Sequence, residues 1–297
     1  MGRLPEDEKL HFRLMKLLEF RENAAMDRIR RLLFKLYQQH KGRTVAPTGE
    51  EIYNVLSEAI PDIQNAAVLA EYIGQIESIL SANRQQPRID FETGVTQNDI
   101  KSTTVRTLEK YVRMAGTDLD ALSQKTNASA MRIAQGITSA TEKKLRYLIA
   151  ENVIQSTLYS GSRNDRTLYA AKQLRPENPQ KALPNAETII RTQMMQILNA
   201  SAVNGAQSTS RLREKLLGWK YCANGDSRTR ESHRHQNGVV AEKNHPFWDI
   251  WTPPNGYNCR CFLIPIYDPQ KLDGGKRPDM NIRPDTGFEF NPAKVYQ

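Results

Sequence analysis

The sequence predicts an α+β protein that is mainly α-helical and ends in a small unit of short β-strands. Three observations predict this class. Apolar residues recur every three or four positions through the first half of the chain, short β-prone runs follow Gly218, and Pro-Pro and Asn-Gly pairs separate those runs. With 297 residues, 39% of them hydrophobic, the chain can form one large domain or two modest ones.

The first element is one long amphipathic helix from Pro5 to His40. Pro5 suits a first helical turn, and the three acidic residues that follow it complement the positive end of the helix dipole. Gly42 is expected to end the helix. Its apolar stripe consists of Leu10, Leu14, Leu17, Leu18, Ala25, Ile29, Leu32, Leu33 and Leu36.

Three further helical segments complete the first half. Thr48 with Glu51 forms a capping-box pattern that opens a helix to Ile60, and a third helix continues beyond Pro61. The polar stretch 81–98 lacks helical period and is predicted to be a linker. Helical spacing resumes at Val105 and again from Leu145 to Ile154.

The second half changes character after residue 184. A Pro-rich break is predicted over 161–184, and Asn185 is placed to cap the next helix. Strands are predicted over 219–222, 239–240 and 261–267, followed by an irregular tail. The predicted regions are therefore 1–98 and 99–184, both helical, 185–267 as the core of the C-terminal unit, and 268–297 as the tail.

Composition restricts the class of protein. The formal net charge of +9 favours an acidic partner such as nucleic acid. Three cysteines are too few for a secreted disulfide framework, and neither a signal peptide nor a membrane-spanning run is expected. We therefore expect synthesis in the cytoplasm and no membrane partner.

The polar residues between Asp226 and Gly238 are predicted to form a short helix. Asp226 or Ser227 would cap it, and Gly238 would close it in a left-handed turn. Asp226, Arg230 and His233 would share one face, whereas His235 would point elsewhere. One interpretation is that these three side chains form a surface hydrogen-bond cluster that fastens the β unit.

The three cysteines raise the question of a metal site. Cys259 and Cys261 would share one side of a strand, with Arg260 on the other. Together with Cys222 and His233 they could bind Zn²⁺, although the spacing lacks a Cys-x-x-Cys pair. The favoured interpretation is that the cysteines are small buried hydrophobes and that no metal or other cofactor is bound. Zinc stays open as an alternative.

The histidines also allow a catalytic interpretation. His233 and His235 near Asp226 suggest a metal-dependent nuclease or a toxin-like enzyme, but the second carboxylate that such chemistry needs is missing from that face. Phosphate-binding loops and serine-nucleophile motifs do not occur either. The protein is therefore not expected to be an enzyme.

Four consecutive stretches carry a family resemblance: AETIIRTQ at 186–193, then GWKY, then DSRTRESHRHQNG, and finally PPNGYNCRC. In this order they resemble the phage Mu F-like head morphogenesis proteins, over roughly 145–265. Many relatives carry a Cys-x-x-Cys pair where Arg230 and His233 stand here, and a His near Gly256 or Tyr257. The motif residues here are Asp226, Arg228, Thr229, His233, Asn237, Gly238, Asn258, Cys259, Arg260 and Cys261.

The resemblance implies a minor capsid protein of a tailed bacteriophage, which acts in head assembly at the portal and lies inside the capsid. It implies portal, scaffold and other capsid proteins as partners, and no catalysis. Contact with double-stranded DNA, without sequence preference, is a further expectation, because seven basic residues face three acidic ones between 211 and 234. Those basic residues are Arg211, Arg213, Lys215, Lys220, Arg228, Arg230 and Arg234.

Overall fold

A computed structural model describes residues 6–40, 46–87, 104–158 and 184–295. Over these ranges the fold is α+β and mainly helical, as the sequence predicts. The helices of the first half are α1 (Glu6–His40), α2 (Gly49–Ser57), α3 (Ile60–Gln85), α4 (Val105–Met114) and α5 (Leu119–Leu158). The second half contains α6 (Pro184–Gly205), α7 (Ser210–Lys215), β1 (Gly218–Cys222), α8 (Glu231–Gln236), β2 (Val240–Glu242), α9 (Phe247–Trp251), β3 (Phe262–Ile266), α10 (Pro269–Asp273) and α11 (Pro292–Val295).

Local sequence signals explain most of the helix starts. The Thr48 side chain accepts from the Glu51 backbone N–H, and the Glu51 carboxylate accepts from the Thr48 N–H, so the predicted capping box is confirmed. Thr104 and Thr209 cap α4 and α7 in the same way with their hydroxyl oxygens. Predicted stripe residues of α1 such as Leu14 and Ile29 are fully buried.

Two predicted boundaries are wrong. Helix α3 continues through 81–85, which the sequence assigned to a linker. The polar side chains of Ser81 and Gln85 are accommodated in the helix because both donate hydrogen bonds to the Pro265 carbonyl. Helix α6 begins at Pro184, so Asn185 lies inside the helix rather than at its cap. The predicted chain break at 161–184 and the end of α1 at Gly42 lie largely outside the described residues.

The described chain separates into two compact units, and the four predicted regions stay a prediction. One unit comprises 19–66 and 125–190. The other comprises 1–18, 67–124 and 191–297, and it contains the whole sheet. No described helix is long and apolar enough to cross a membrane.

The sheet is antiparallel with β1 in the centre, in the order β2-β1-β3. Gly218 pairs with Ile266 and Cys222 pairs with Phe262, while Trp219 pairs with Ala241 on the other side. All five residues of β3 are buried. The apolar residues of the sheet therefore belong to the buried core of this unit.

The C-terminal tail is irregular, as predicted, apart from α10 and α11. It nevertheless packs on the sheet unit, because Lys276 forms a parallel bridge with Val239. The Trp251 indole N–H donates to the Ile282 carbonyl at 3.1 Å, and the Gln236 amide donates to the Asp279 carbonyl at 2.7 Å. The tail thus closes over residues of the polar motif.

Helices α3 and α6 approach closely at Gly74. A Cβ atom at Gly74 would overlap the Leu198 carbonyl oxygen and would lie 2.8 Å from the Ala202 backbone nitrogen. The Ser78 hydroxyl donates to the Ala202 carbonyl at 2.6 Å one turn further on. Glycine is therefore required at position 74 by contact with backbone atoms, which cannot move aside.

We expect Gly74→Ala to destabilise the protein by about 1–3 kcal/mol, because the added methyl group pushes two helices apart. The matched control is Gly136→Ala in α5, where the nearest atom to the new methyl group is 3.9 Å away. That control should be neutral or stabilising by about 0.5–1 kcal/mol, because alanine favours a helix. Equal stability of both variants in urea unfolding would contradict the prediction.

Candidate functional site

The centre of the polar motif is a buried group formed by His233, Cys259 and Cys261. His233 lies on α8, and the two cysteines lie just before β3. Nδ1 of His233 is 3.4 Å from Sγ of Cys261 and 3.7 Å from Sγ of Cys259. The three atoms all lie within 4.8 Å of one another, and each residue is only 2% exposed.

The hydrogen bond on the other side of the ring orients His233. Nε2 lies 3.2 Å from the backbone carbonyl oxygen of Asn255. A carbonyl oxygen only accepts, so Nε2 carries a hydrogen and donates it, and Nδ1 is the ring nitrogen that faces the two sulfur atoms. The ring also packs edge-on against Trp251, with centroids 6.0 Å apart.

The two thiols have opposite acidities. Burial opposes ionisation of Cys259, but hydrogen bonds from Cys261, His233 and the Asn255 backbone hold the pKa of Cys259 well below its usual value. The pKa of Cys261 is raised, because it hydrogen-bonds to Cys259 and is itself buried. Cys259 is therefore the first of the pair to lose its proton.

Tyr221 on β1 also lies beside this buried group. Burial raises the pKa of Tyr221 well above its usual range, and the neighbouring Cys261 and Cys259 add to the rise. Its ring contacts Trp251 edge-on at 5.7 Å. Its hydroxyl oxygen is buried and faces the Cys261 thiol.

Asp226 and Arg260 form a bidentate ion pair next to the buried group. The two guanidinium nitrogens lie 2.6 and 2.7 Å from the two carboxylate oxygens. Asp226 also accepts from the Arg228 backbone N–H and the Thr229 hydroxyl, which shapes the turn before α8. Hydrogen bonds from Arg260 outweigh partial burial and hold the pKa of Asp226 far below its usual value.

The predicted cluster of Asp226, Arg230 and His233 is wrong. Helix α8 begins only at Glu231, and Arg230 precedes it, so the expected helical spacing does not extend back to Asp226. Arg230 pairs instead with Asp285 at 3.0 Å and donates to the Tyr257 carbonyl at 2.8 Å. The three side chains therefore serve three different contacts.

Strand β3 also begins later than predicted, at Phe262. Cys259 and Cys261 precede it, yet they share one side, because both face His233 while Arg260 faces Asp226. Cys222 is not a member of the buried group; it packs with Phe262 and Ile264 in the sheet core. The fourth candidate zinc ligand of the sequence is thus elsewhere.

The remaining motif residues shape the backbone. The Asn237 side chain accepts from the Ala223 N–H at 2.8 Å, and Gly238 has φ +82°, as its predicted left-handed turn requires. Asn258 has φ +56°, and its N–H donates to the Thr192 hydroxyl on α6. His235 points away from His233, as predicted, and lies 3.6 Å from Asp279.

Sequence reasoning missed Asn255, Tyr221 and Asp285 as parts of this site. Asn255 lies in a Pro-Pro-Asn-Gly turn, and only its backbone carbonyl contacts the imidazole, so its side-chain type gives no signal. Tyr221 lies in a β-prone run, where the pattern predicts only a buried strand residue. Asp285 lies in a tail without periodicity, where partners are set by tertiary packing.

The seven predicted DNA-binding residues fall into two groups. Arg211, Arg213 and Lys215 are exposed on α7, and the Lys243 ammonium lies beside them because it donates to the Arg213 carbonyl. The other four belong to local contacts of the sheet unit. Lys220 pairs with Glu8, Arg228 lies 3.8 Å from Asp226, Arg230 pairs with Asp285, and Arg234 donates to the Thr229 carbonyl.

The fold and the site define the class of protein. It is a mainly helical protein in which the polar motif packs beside a small buried β-sheet. Residues 148–264 match the family model described as Phage Mu protein F like protein. The resemblance seen in the sequence is thereby confirmed for this segment, which is similar to the Mu F-like proteins.

Individual relatives agree with the family. The chain is 44% identical over 72 residues to the "Putative capsid assembly protein F" of Escherichia phage Mu, which is 24% of this chain and 15% of the relative. It is 36% identical over 74 residues to the "Mu-like prophage FluMu F protein" of Haemophilus influenzae, covering 25% of this chain and 17% of the relative.

A longer match extends beyond the motif region. An uncharacterized protein of Haemophilus influenzae is 24% identical over 232 residues, which is 78% of this chain and 48% of the relative. The chain thus spans about half or less of the length of these relatives. No solved structure is significantly similar to it.

Proposed function

We propose that the protein is a minor head protein of a tailed bacteriophage that acts in capsid assembly at the portal, on the inside of the capsid. The single observation that carries this is the 44% identity over 72 residues to a phage Mu protein named as a putative capsid assembly protein. Residues 148–264, which match the family model, contain the buried group and the Asp226–Arg260 pair.

The geometry of the site supports a structural role over catalysis. His233, Cys259 and Cys261 are buried, and Asp226 already binds Arg260 through both oxygens. A general base or a metal-bound nucleophile has to reach its substrate within hydrogen-bond distance. We therefore propose that the motif does not act on a substrate, and nuclease or toxin-like activity is the alternative that an assay with purified protein and His233→Ala decides.

The assembly role can be tested by complementation of a phage that lacks the gene. We expect fewer infectious particles without the protein and recovery when it is supplied in trans. In purified heads the protein should resist protease until the heads are opened. Normal particle yield without it, or digestion in intact heads, would contradict the proposal.

Contact with packaged DNA is a second part of the proposal. It is supported by the exposed cations of α7, namely Arg211, Arg213 and Lys215, with Lys243 beside them. Such a cluster would bind phosphate groups through charge, and phosphate contacts carry no sequence information. Lys220 and Arg230, each paired with a carboxylate, contribute less.

The DNA contact predicts a measurable salt dependence. Replacing Arg211, Arg213 and Lys215 by alanine should reduce the slope of log Kd against log salt by about 2–3, because each phosphate contact contributes about 0.9. Lys220→Ala is the matched control and should change the slope by less than about 0.5. An unchanged slope in the triple variant would remove the α7 surface from the proposal.

A further inference from the structure

The positions of the three buried ligand atoms fit the coordination sphere of a zinc ion. With Zn–S near 2.3 Å and Zn–N near 2.0–2.1 Å, tetrahedral angles place a bound nitrogen and sulfur about 3.6 Å apart. Nδ1 of His233 lies 3.4 and 3.7 Å from the two sulfur atoms. These separations correspond to a site that could take the ion with little rearrangement.

The surroundings of the imidazole also suit a metal. Nε2–H of His233 donates to the Asn255 carbonyl, and this bond holds the ring with Nδ1 directed toward both sulfur atoms. A hydrogen bond from the second ring nitrogen to a carbonyl is the usual arrangement of a metal-binding histidine. The imidazole is therefore already oriented as a metal ligand requires.

A single ring nitrogen serves both thiols. Nδ1 of His233 faces the Sγ atoms of Cys259 and Cys261, but one ring nitrogen makes only one hydrogen bond at a time. A bound ion would engage Nδ1 and both sulfur atoms at once.

We propose that His233, Cys259 and Cys261 bind one Zn²⁺ ion. Two sulfur ligands and one imidazole favour zinc over magnesium or calcium, which prefer oxygen. The ion would join α8 to the segment that enters β3 and would stabilise the sheet unit. The proposal does not depend on the role in head assembly.

Metal analysis of the purified full chain tests the site. Protein produced with added zinc and purified without chelators or metal-affinity resins should hold about one zinc per chain after dialysis. Cys261→Ser and Cys259→Ser should lose at least most of it. Cys222→Ser is the matched control, because Cys222 is also buried but belongs to the sheet core, and it should retain the metal.

A second readout covers variants that fail to fold. Wild-type protein stripped of metal and titrated with Co²⁺ should develop thiolate-to-cobalt absorption that zinc abolishes, and a chelator should lower the Tm of wild-type and Cys222→Ser protein. The proposal would be overturned by less than about 0.1 zinc per chain in the wild-type protein. Equal loss of zinc in Cys222→Ser, or a Cys259–Cys261 disulfide in freshly purified protein, would overturn it as well.

Discussion

Replacing Trp251 by alanine is expected to destabilise the protein by about 3–5 kcal/mol, the usual cost of removing a large buried aromatic ring. Trp251 is 0% exposed and lies between the rings of Tyr221, His233 and Phe247, with centroids 5.7 to 6.0 Å away. The substitution also leaves the Ile282 carbonyl without its indole donor. Urea unfolding followed by circular dichroism measures the effect.

The control for Trp251 is Tyr257→Ala. Tyr257 lies in the same unit but is 59% exposed, and its ring contacts the ring of Phe288 edge-on, with centroids 5.0 Å apart. Its loss should cost no more than about 0.5–1 kcal/mol. If Trp251→Ala were no more destabilising than Tyr257→Ala, the aromatic core described for the site would be wrong.

Breaking the pair between Asp226 and Arg260 is the second substitution with a large expected effect. Asp226→Asn and Arg260→Ala should each cost about 1–3 kcal/mol, less than for a fully buried pair because both side chains are about one-third exposed. The double variant should cost less than the sum of the two single ones, because the same contact is lost in both. Strict additivity would show that the pair contributes nothing.

The pair also predicts how stability depends on pH. The pKa of Asp226 is lowered in the folded protein, so its contribution is fully present above the ordinary pKa of aspartate, near 3.9. It is lost as the pH falls from there through the lowered folded value. The difference in unfolding free energy between wild type and Asp226→Asn should therefore be constant from about pH 5.5 to 8 and shrink below about pH 4.

Elements with strong local signals could be predicted from the sequence. The apolar stripe of α1, the Thr48–Glu51 capping box and the β-prone run at Trp219 each specify their structure within a few neighbouring residues. The left-handed turn at Gly238 belongs to the same group. For these elements local preference and tertiary packing agree, so the pattern alone is sufficient.

Side-chain partners could not be predicted in the same way. Asp226 binds Arg260, 34 positions away, rather than Arg230, because the chain turns at Asp226–Thr229 before α8 starts. Helical spacing is informative only inside a helix, and capping preference does not say which residue begins one. Cys222 was grouped with the other cysteines by residue type, whereas the strand register places it in the sheet core.

The central claim is that the motif from Asp226 to Cys261 stabilises its own unit and does not act on a substrate. The most direct test measures head incorporation of Asp226→Asn, Arg260→Ala and His233→Ala at several temperatures, beside the unfolding free energy of each purified variant. We expect incorporation to fall in parallel with stability and to recover at low temperature, where the variants are folded. A His233→Ala protein that is as stable as wild type, enters heads normally and yet produces no infectious particles at any temperature would contradict the claim.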